Sequence, residues 1–366
     1  MEKAKILIIA GARPNFMKIA PIMHAMKKSE KLEPVLVHTG QHYDVKMSDT
    51  FFEELNIPRP DISLEVGSDT HARQVARIME RFEPVCDEQK PRAILVVGDV
   101  NSTMACSIVA AKKEIKIIHV EAGIRSRDRS MPEEINRMVT DAITDILMPP
   151  SQDAVQNLLS EGHAPEKIHL VGNIMIDTLL SSRKLVEQSK ILETLGLKEN
   201  GFVSLTLHRP SNVDNIENFR KILAALEVIQ KELPIVFPIH PRTRKMISEF
   251  GLEDYVASMK NLILTEPMGY FDFGKLISSS YFVLTDSGGI QEETTVYGIP
   301  CITLRENTER PVTVWEGTNE LAGCDTAKII ALARQIMDNN WKQGRIPDMW
   351  DGKTAGRIIE ILEKEL

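Results

Sequence analysis

No apolar run in the sequence approaches the ~20 residues needed to cross a bilayer, and the opening "MEKAKILIIAGARPN" holds only a short apolar stretch with no cleavage-site pattern. A soluble, cytoplasmic protein is expected, with no membrane partner. Cysteine is sparse: Cys86, Cys106, Cys301 and Cys324 form no CxxC pair, which excludes a disulfide framework and suggests reduced, mostly buried thiols. Positive charge is not in excess, since 44 Lys plus Arg stand against 52 Asp plus Glu, for a formal charge of -8. Nucleic acid and anionic membranes are thereby excluded as general partners, and any basic site must be local. Three signatures are also missing: the GxGxxG of nicotinamide sites, the Walker loop and the GxSxG elbow. No His, Cys, Asp and Glu set has zinc-site spacing, and His38 and His42 fall in a strand-to-loop stretch rather than on one helix face. No cofactor and no metal are assigned.

What is present is a rhythm. Short β-rich runs, "KILIIA", "PVLVH", "AILVVG", "IKIIHV" and "DILMPP", alternate with helix-like segments, and "FVSLTL", "PIVFPIH", "NLILTEP", "YFVLTD" and "PCITLR" repeat the pattern. Alternation of that kind indicates parallel sheets covered by helices. With 366 residues, 43% of them hydrophobic, the chain can fill two cores, so the expected class is α/β with two doubly wound, Rossmann-like domains. The first spans 1–172 and is joined by the final helix, 354–366; the second spans 173–353. In such sheets ligands bind beyond the carboxyl ends of the strands, which directs attention to the residues that follow each apolar run.

Those residues are polar. After the first strand, "GARPNFMKIAP" sets Arg13 and Lys18 at or near a helix start, where two cations can hold a diphosphate or stand solvated. Asp99, in "VVGDVNST", is either a helix cap or a site acid, with even weight on each. Glu121, in "IIHVEAGIRS", is harder to explain by capping; a carboxylate emerging from a buried strand is a candidate acid or base. In "SMPEEINRMVTD" Glu133 and Glu134 share a first helical turn, so at least one is structural by default. His208 and Arg209 end another strand, whereas surface solvation is the expected fate of His240, Arg242 and Arg244. "LTDSGGIQEETTVYG" raises an anion site on Ser287, Gly288 and Gly289 at a helix start, with acids one turn further on.

Taken together, "GARPNFMKIAP", "TGQHYD", "GDVNST", "HVEAGIRS", "PEEINR", "LHRPSN", "TDSGGIQEE" and "TERPV" resemble the non-hydrolysing UDP-N-acetylglucosamine 2-epimerase family. The resemblance implies a glycosyltransferase-B type fold with a nucleotide sugar in a central cleft, homodimer formation, and UDP-N-acetylglucosamine and UDP as ligands. It implies C2 epimerisation to UDP-N-acetylmannosamine by loss of UDP to 2-acetamidoglucal and re-addition, a product suited to cell-surface polysaccharide or glycoprotein synthesis. Asp99, Glu121, Glu133 and His208 become the catalytic candidates. For UDP it implies Ser287, Gly288 and Gly289 at the phosphates, Glu293 at the ribose, Phe273 near the uracil, and Arg13, Lys18 and Arg310 as added charge. Gln41, His42, Arg209 and His240 would belong to a second, activating UDP-N-acetylglucosamine site. Pro210 and Ser211 depart from the family's "HRREN" pattern.

Overall fold

The computed structural model describes residues 3–40 and 59–366 and divides into two compact units, Met1–Leu180 with Asp348–Leu366 and Ser181–Pro347. In the first unit, β1 Ala4–Ala10, β2 Leu32–His38, β3 Ile62–Ser63, β4 Ala93–Val97, β5 Lys116–Val120 and β6 Ile146–Met148 run parallel in the order β3-β2-β1-β4-β5-β6. Ile6, Leu7 and Ile8 of β1 and Ile94, Leu95 and Val96 of β4 are fully buried. Both faces of a parallel sheet are covered, so its central strands carry apolar residues without alternation. On one face Ile78 and Phe82 of helix His71–Gln89 and Ala105 and Val109 of helix Asn101–Lys112 join Leu7, Ile94 and Val96 in one core cluster.

The second unit repeats the plan with β7 Val203–Thr206, β8 Ile235–Pro238, β9 Leu262–Thr265, β10 Phe282–Thr285, β11 Cys301–Thr303 and β12 Asn319–Leu321, in the order β12-β11-β10-β7-β8-β9. Leu205, Phe219, Leu223, Phe237 and Phe282 lie in its core. Counted within its own unit, each sheet runs third, second, first, fourth, fifth, sixth, the doubly wound order whose crevice opens between the first and fourth strands. Ten of the twelve strands coincide with the apolar runs read from the sequence. β3 and β12 do not; they are edge strands of 2 and 3 residues, paired on one side only and needing no apolar run of their own.

The first unit keeps the chain to Leu180, past the Gly172 read from the sequence. The reason is local. Helix Ile174–Gln188 begins by bonding to the first unit, its Thr178 hydroxyl donating to the Met17 carbonyl at 2.5 Å. Asp177 accepts the N–H groups of Thr354 and Ala355 at 3.1 and 2.8 Å and so caps the final helix, Thr354–Glu365, which buries Ala355, Ile358 and Leu362. Among the described residues no helix is long and apolar enough to cross a membrane. Replacing Asp177 with Ala leaves two buried N–H groups without their acceptor and should cost about 1–2 kcal/mol. Thermal unfolding checks this; an unchanged melting temperature would mean that the cap contributes nothing.

Candidate active site

At the end of β1 the chain turns through Gly11 and Ala12 into helix Arg13–Met26. Buried Asn15 folds back from its first turn: Oδ1 accepts the Gly11 and Ala12 N–H groups at 3.1 and 2.9 Å, and Nδ2 donates to the Val97 carbonyl at the end of β4 at 3.0 Å. It thus bridges the two strands that flank the crevice. One turn on, Lys18 Nζ meets Glu121 Oε2 at 2.5 Å, with the Glu121 side chain 3% exposed. Lys18 is therefore paired at a strand end rather than solvated on the helix surface. Glu121 directly follows β5 with φ 71, a left-handed backbone that costs a non-glycine residue roughly 1–2 kcal/mol. Gly98 lies against this pair: with φ +70, a Cβ there would sit 3.1 Å from Lys18 Nζ and 3.4 Å from Glu121 Oε2.

Asp99 is not the N-cap residue of the helix that follows it. Helix Asn101–Lys112 has Val100 at its N-cap, and Asp99 instead pairs with Arg137. Arg137 also bonds Glu134 at 2.9 Å, and Glu134 accepts the Ser126 N–H at 2.8 Å, the Ser126 hydroxyl at 2.9 Å and the Arg127 N–H at 2.8 Å. Burial pushes the Glu134 carboxyl up, but these bonds and the Arg137 charge outweigh it and hold the group below its ordinary value. Glu134 is the structural acid of the two; Glu133, beside it on helix Pro132–Ala142, is half-buried. Gln41, His42 and the Arg13 side chain lie outside the described residues.

In the second unit the crevice lies between β7 and β10, whose Thr206 and Thr285 hydroxyls meet at 2.6 Å. Buried Asp286 follows β10. One of its oxygens is 2.9 Å from His208 Nδ1, and the other accepts the N–H groups of His208 and Arg209 at 2.8 and 2.7 Å. Burial pushes the Asp286 carboxyl up, yet the His208 hydrogen bond and charge and the two N–H groups pull it below its ordinary value. The imidazole is thereby fixed with Nε2 turned away from Asp286. The His240 ring lies 5.5 Å from it, and His240 Nδ1 accepts the Arg242 N–H at 3.1 Å to cap helix Pro241–Glu249. Arg242 and Arg244 make exposed ion pairs with Asp214 and Glu266.

Ser287 occupies the N-cap position of helix Gly288–Tyr297 without a side-chain cap bond, and the N–H groups of that first turn have no intrahelical acceptor. A Cβ on Gly288 would come within 2.5 Å of Glu309 Oε1, while the space around Gly289 is open. Glu309 is held by Arg305 at 2.8 Å, with Arg209 at 3.9 Å, and Arg310 pairs with Glu292 at 2.6 Å. Glu293 is buried, and burial followed by the Glu292 charge pushes its carboxyl up to about 8. Burial and then the Glu293 charge raise the Tyr270 and Tyr297 phenols as well. Phe273 is half-buried beside Ile277, Val283 and Ile290.

The profile of the UDP-N-acetylglucosamine 2-epimerase family matches residues 24–363. The chain belongs to the UDP-N-acetylglucosamine 2-epimerase family. It is 42% identical to the UDP-N-acetylglucosamine 2-epimerase of Methanocaldococcus jannaschii, with 98% of each chain covered. It is 39% identical to the UDP-2,3-diacetamido-2,3-dideoxy-D-glucuronate 2-epimerase of Pseudomonas aeruginosa, covering 98% of this chain and 99% of that one. The fold agrees with a crystal structure of the M. jannaschii enzyme in complex with UDP-GlcNAc and UDP, at a TM-score of 0.89 and 41% identity, over 98% of this chain and 99% of that one. It agrees equally with the Neisseria meningitidis UDP-GlcNAc 2-epimerase bound to UDP-GlcNAc, at a TM-score of 0.89 and 32% identity, over 98% of this chain and 100% of that one.

Within this epimerase-family fold, sequence reasoning passed over Asn15, Asp286 and Glu292, the partners that hold the strand ends, His208 and Arg310. Asp286 carried a legible signal, since it follows the run "YFVLT" as Asp99 and Glu121 follow theirs. Glu293 generates a prediction. Its raised value means that the folded state keeps a proton that the unfolded state releases above 4.5, so its stabilising contribution is complete below 4.5 and is lost as the pH climbs to about 8. Between pH 6 and pH 8 the stability advantage of Glu293→Gln over the unaltered protein should therefore grow by roughly 1 kcal/mol per pH unit. Melting temperatures across that range decide it; a difference independent of pH contradicts the assignment.

Proposed function

We propose that the chain interconverts UDP-N-acetylglucosamine and UDP-N-acetylmannosamine by expelling UDP to 2-acetamidoglucal and adding it back. The observation that carries this reading is the Lys18–Glu121 pair at the crevice of the first sheet, in a chain that matches the epimerase family almost end to end. The C2 proton has no neighbouring carbonyl to acidify it. Removal becomes feasible as the C1–O bond breaks: a carboxylate takes the proton, the C–H electrons form the C1=C2 double bond, and the C1–O electrons leave with UDP. Return of a proton to the opposite face of C2, with UDP to C1, gives the epimer.

In this reading Asp99, Glu121 and Glu133 supply the two acid–base faces. His208, fixed through Nδ1 by Asp286, turns Nε2 toward the leaving diphosphate. Ser287, Gly288 and Gly289 take the phosphates through the Gly288 and Gly289 N–H groups and the Ser287 side chain, as a helix start favours, the Ser287 N–H being donated to the Thr285 hydroxyl at 3.0 Å, and Arg13, Lys18 and Arg310 add positive charge. Glu293 accepts the ribose hydroxyls and Phe273 lies near the uracil. Gln41, His42, Arg209 and His240 form an activating site for a second UDP-N-acetylglucosamine.

Proton NMR of the purified protein with UDP-N-acetylglucosamine in D2O tests the reaction. Deuterium at C2 together with a UDP-N-acetylmannosamine signal is expected; release of free N-acetylmannosamine would instead mean hydrolysis, and turnover confined to the diacetamido-glucuronate nucleotide would mean a different sugar. Glu121→Gln should lower kcat by about 100-fold or more with UDP affinity largely unchanged, and a rate equal to that of the unaltered protein removes Glu121 from the chemistry. Glu293→Ala should weaken UDP binding in calorimetry; an unchanged affinity contradicts the ribose assignment.

A further inference from the structure

His119, in β5, and Asp141, in helix Pro132–Ala142, are both completely buried. His119 Nε2 lies 2.9 Å from the Gly98 carbonyl, and Nδ1 lies 2.6 Å from Asp141 Oδ1. A carbonyl oxygen only accepts, so Nε2 carries a hydrogen, and the proton between Nδ1 and Asp141 belongs to the pair. Asp141 Oδ2 accepts the Gly123 N–H at 3.0 Å and meets Arg125 Nη2 at 2.7 Å, and the same nitrogen meets Glu161 at 2.6 Å. Apolar residues of similar volume often serve stability as well as a buried polar pair does.

What the pair touches is telling. Gly98 immediately precedes Asp99, and Gly123 is two residues beyond Glu121. Gly98, Glu121 and Gly123 all have positive φ, so these turns lie outside the regular geometry of strand or helix. We propose that the His119–Asp141 pair is a positioning device, which fixes Asp99 and Glu121 relative to each other by gripping the Gly98 carbonyl on one loop and the Gly123 N–H on the other. The proposal rests on the epimerase reading for its consequence, because two faces of one carbon require two acid–base groups at a set separation.

The chemistry of substitution separates positioning from a charge or proton relay. In Asp141→Asn the amide oxygen can accept from Gly123 and Arg125 while the amide nitrogen donates to an unprotonated Nδ1, so every grip is retained without the carboxylate. Asp141→Ala and His119→Phe each break the chain. Hydrogen exchange of the full chain reads the loops directly, since the Gly98 and Glu121 N–H groups bond the carbonyls of Val120 and Met148 at 3.1 and 3.0 Å. In Asp141→Ala and His119→Phe those amides should exchange at least about tenfold faster, whereas in Asp141→Asn they should match the unaltered protein. In the same two disruptive variants kcat should fall about 100-fold with KM within about threefold, and Asp141→Asn should stay within about tenfold of normal kcat.

Unchanged exchange in the disruptive variants overturns the proposal, as does an Asp141→Asn protein that folds normally yet is as inactive as Asp141→Ala. If the disruptive variants fail to fold, Asp141→Asn decides alone: near-normal turnover upholds positioning, and loss of turnover with an unchanged melting temperature overturns it. Because exchange is read without substrate, an unaltered protein that never labels C2 would defeat the epimerase reading while the exchange result still decides the role of the pair.

Discussion

A doubly wound sheet has to send the chain from its first strand to one face and from its fourth strand to the other, which leaves backbone N–H and C=O groups bare where the two part. Each unit satisfies that requirement with one buried polar side chain. In the first, Asn15 leaves β1 and reaches across to Val97 at the end of β4. In the second the direction is reversed, and Asp286 leaves β10 to reach the N–H groups of His208 and Arg209 beyond β7. The crevice stays open because the stitch is made by a side chain rather than by continued strand pairing, and the polar residues of both units are set around that stitch.

The two units then treat charge differently. Glu121 and Asp99 each have a cation close by, Lys18 in one case and Arg137 in the other. Glu293 sits in the second unit at the opposite extreme, buried, with the Glu292 charge pushing its carboxyl up further. His208 is intermediate: its ring is anchored by Asp286, yet partly exposed.

Strand placement was legible because apolar runs such as "AILVVG" have no other use in a chain of this length, and the strand-end rule led directly to Asp99, Glu121 and His208. The missed elements share a physical cause. β3 and β12 are too short to carry a pattern, and the grip of His119 on Gly98 joins residues 21 positions apart, which no local spacing encodes. Asp99 shows the limit from the other side, since its position suits a helix cap and only the arrival of Arg137 from another helix decides against it. Glu133 and Glu134 were equivalent in sequence; Ser126 and Arg127, arriving through a loop, distinguished them.

The final helix, Thr354–Glu365, belongs to the first unit, and Asp177 receives its opening N–H groups. The second unit is a continuous stretch, Ser181–Pro347, whereas the first is assembled from both ends of the described chain. On the ribosome the order of completion is therefore inverted: the second unit has all of its strands before the first has its last helix. Until Thr354–Glu365 has been synthesised, the first unit must wait with the surface meant for Ile358 and Leu362 uncovered, and its nascent form depends on how long that interval lasts.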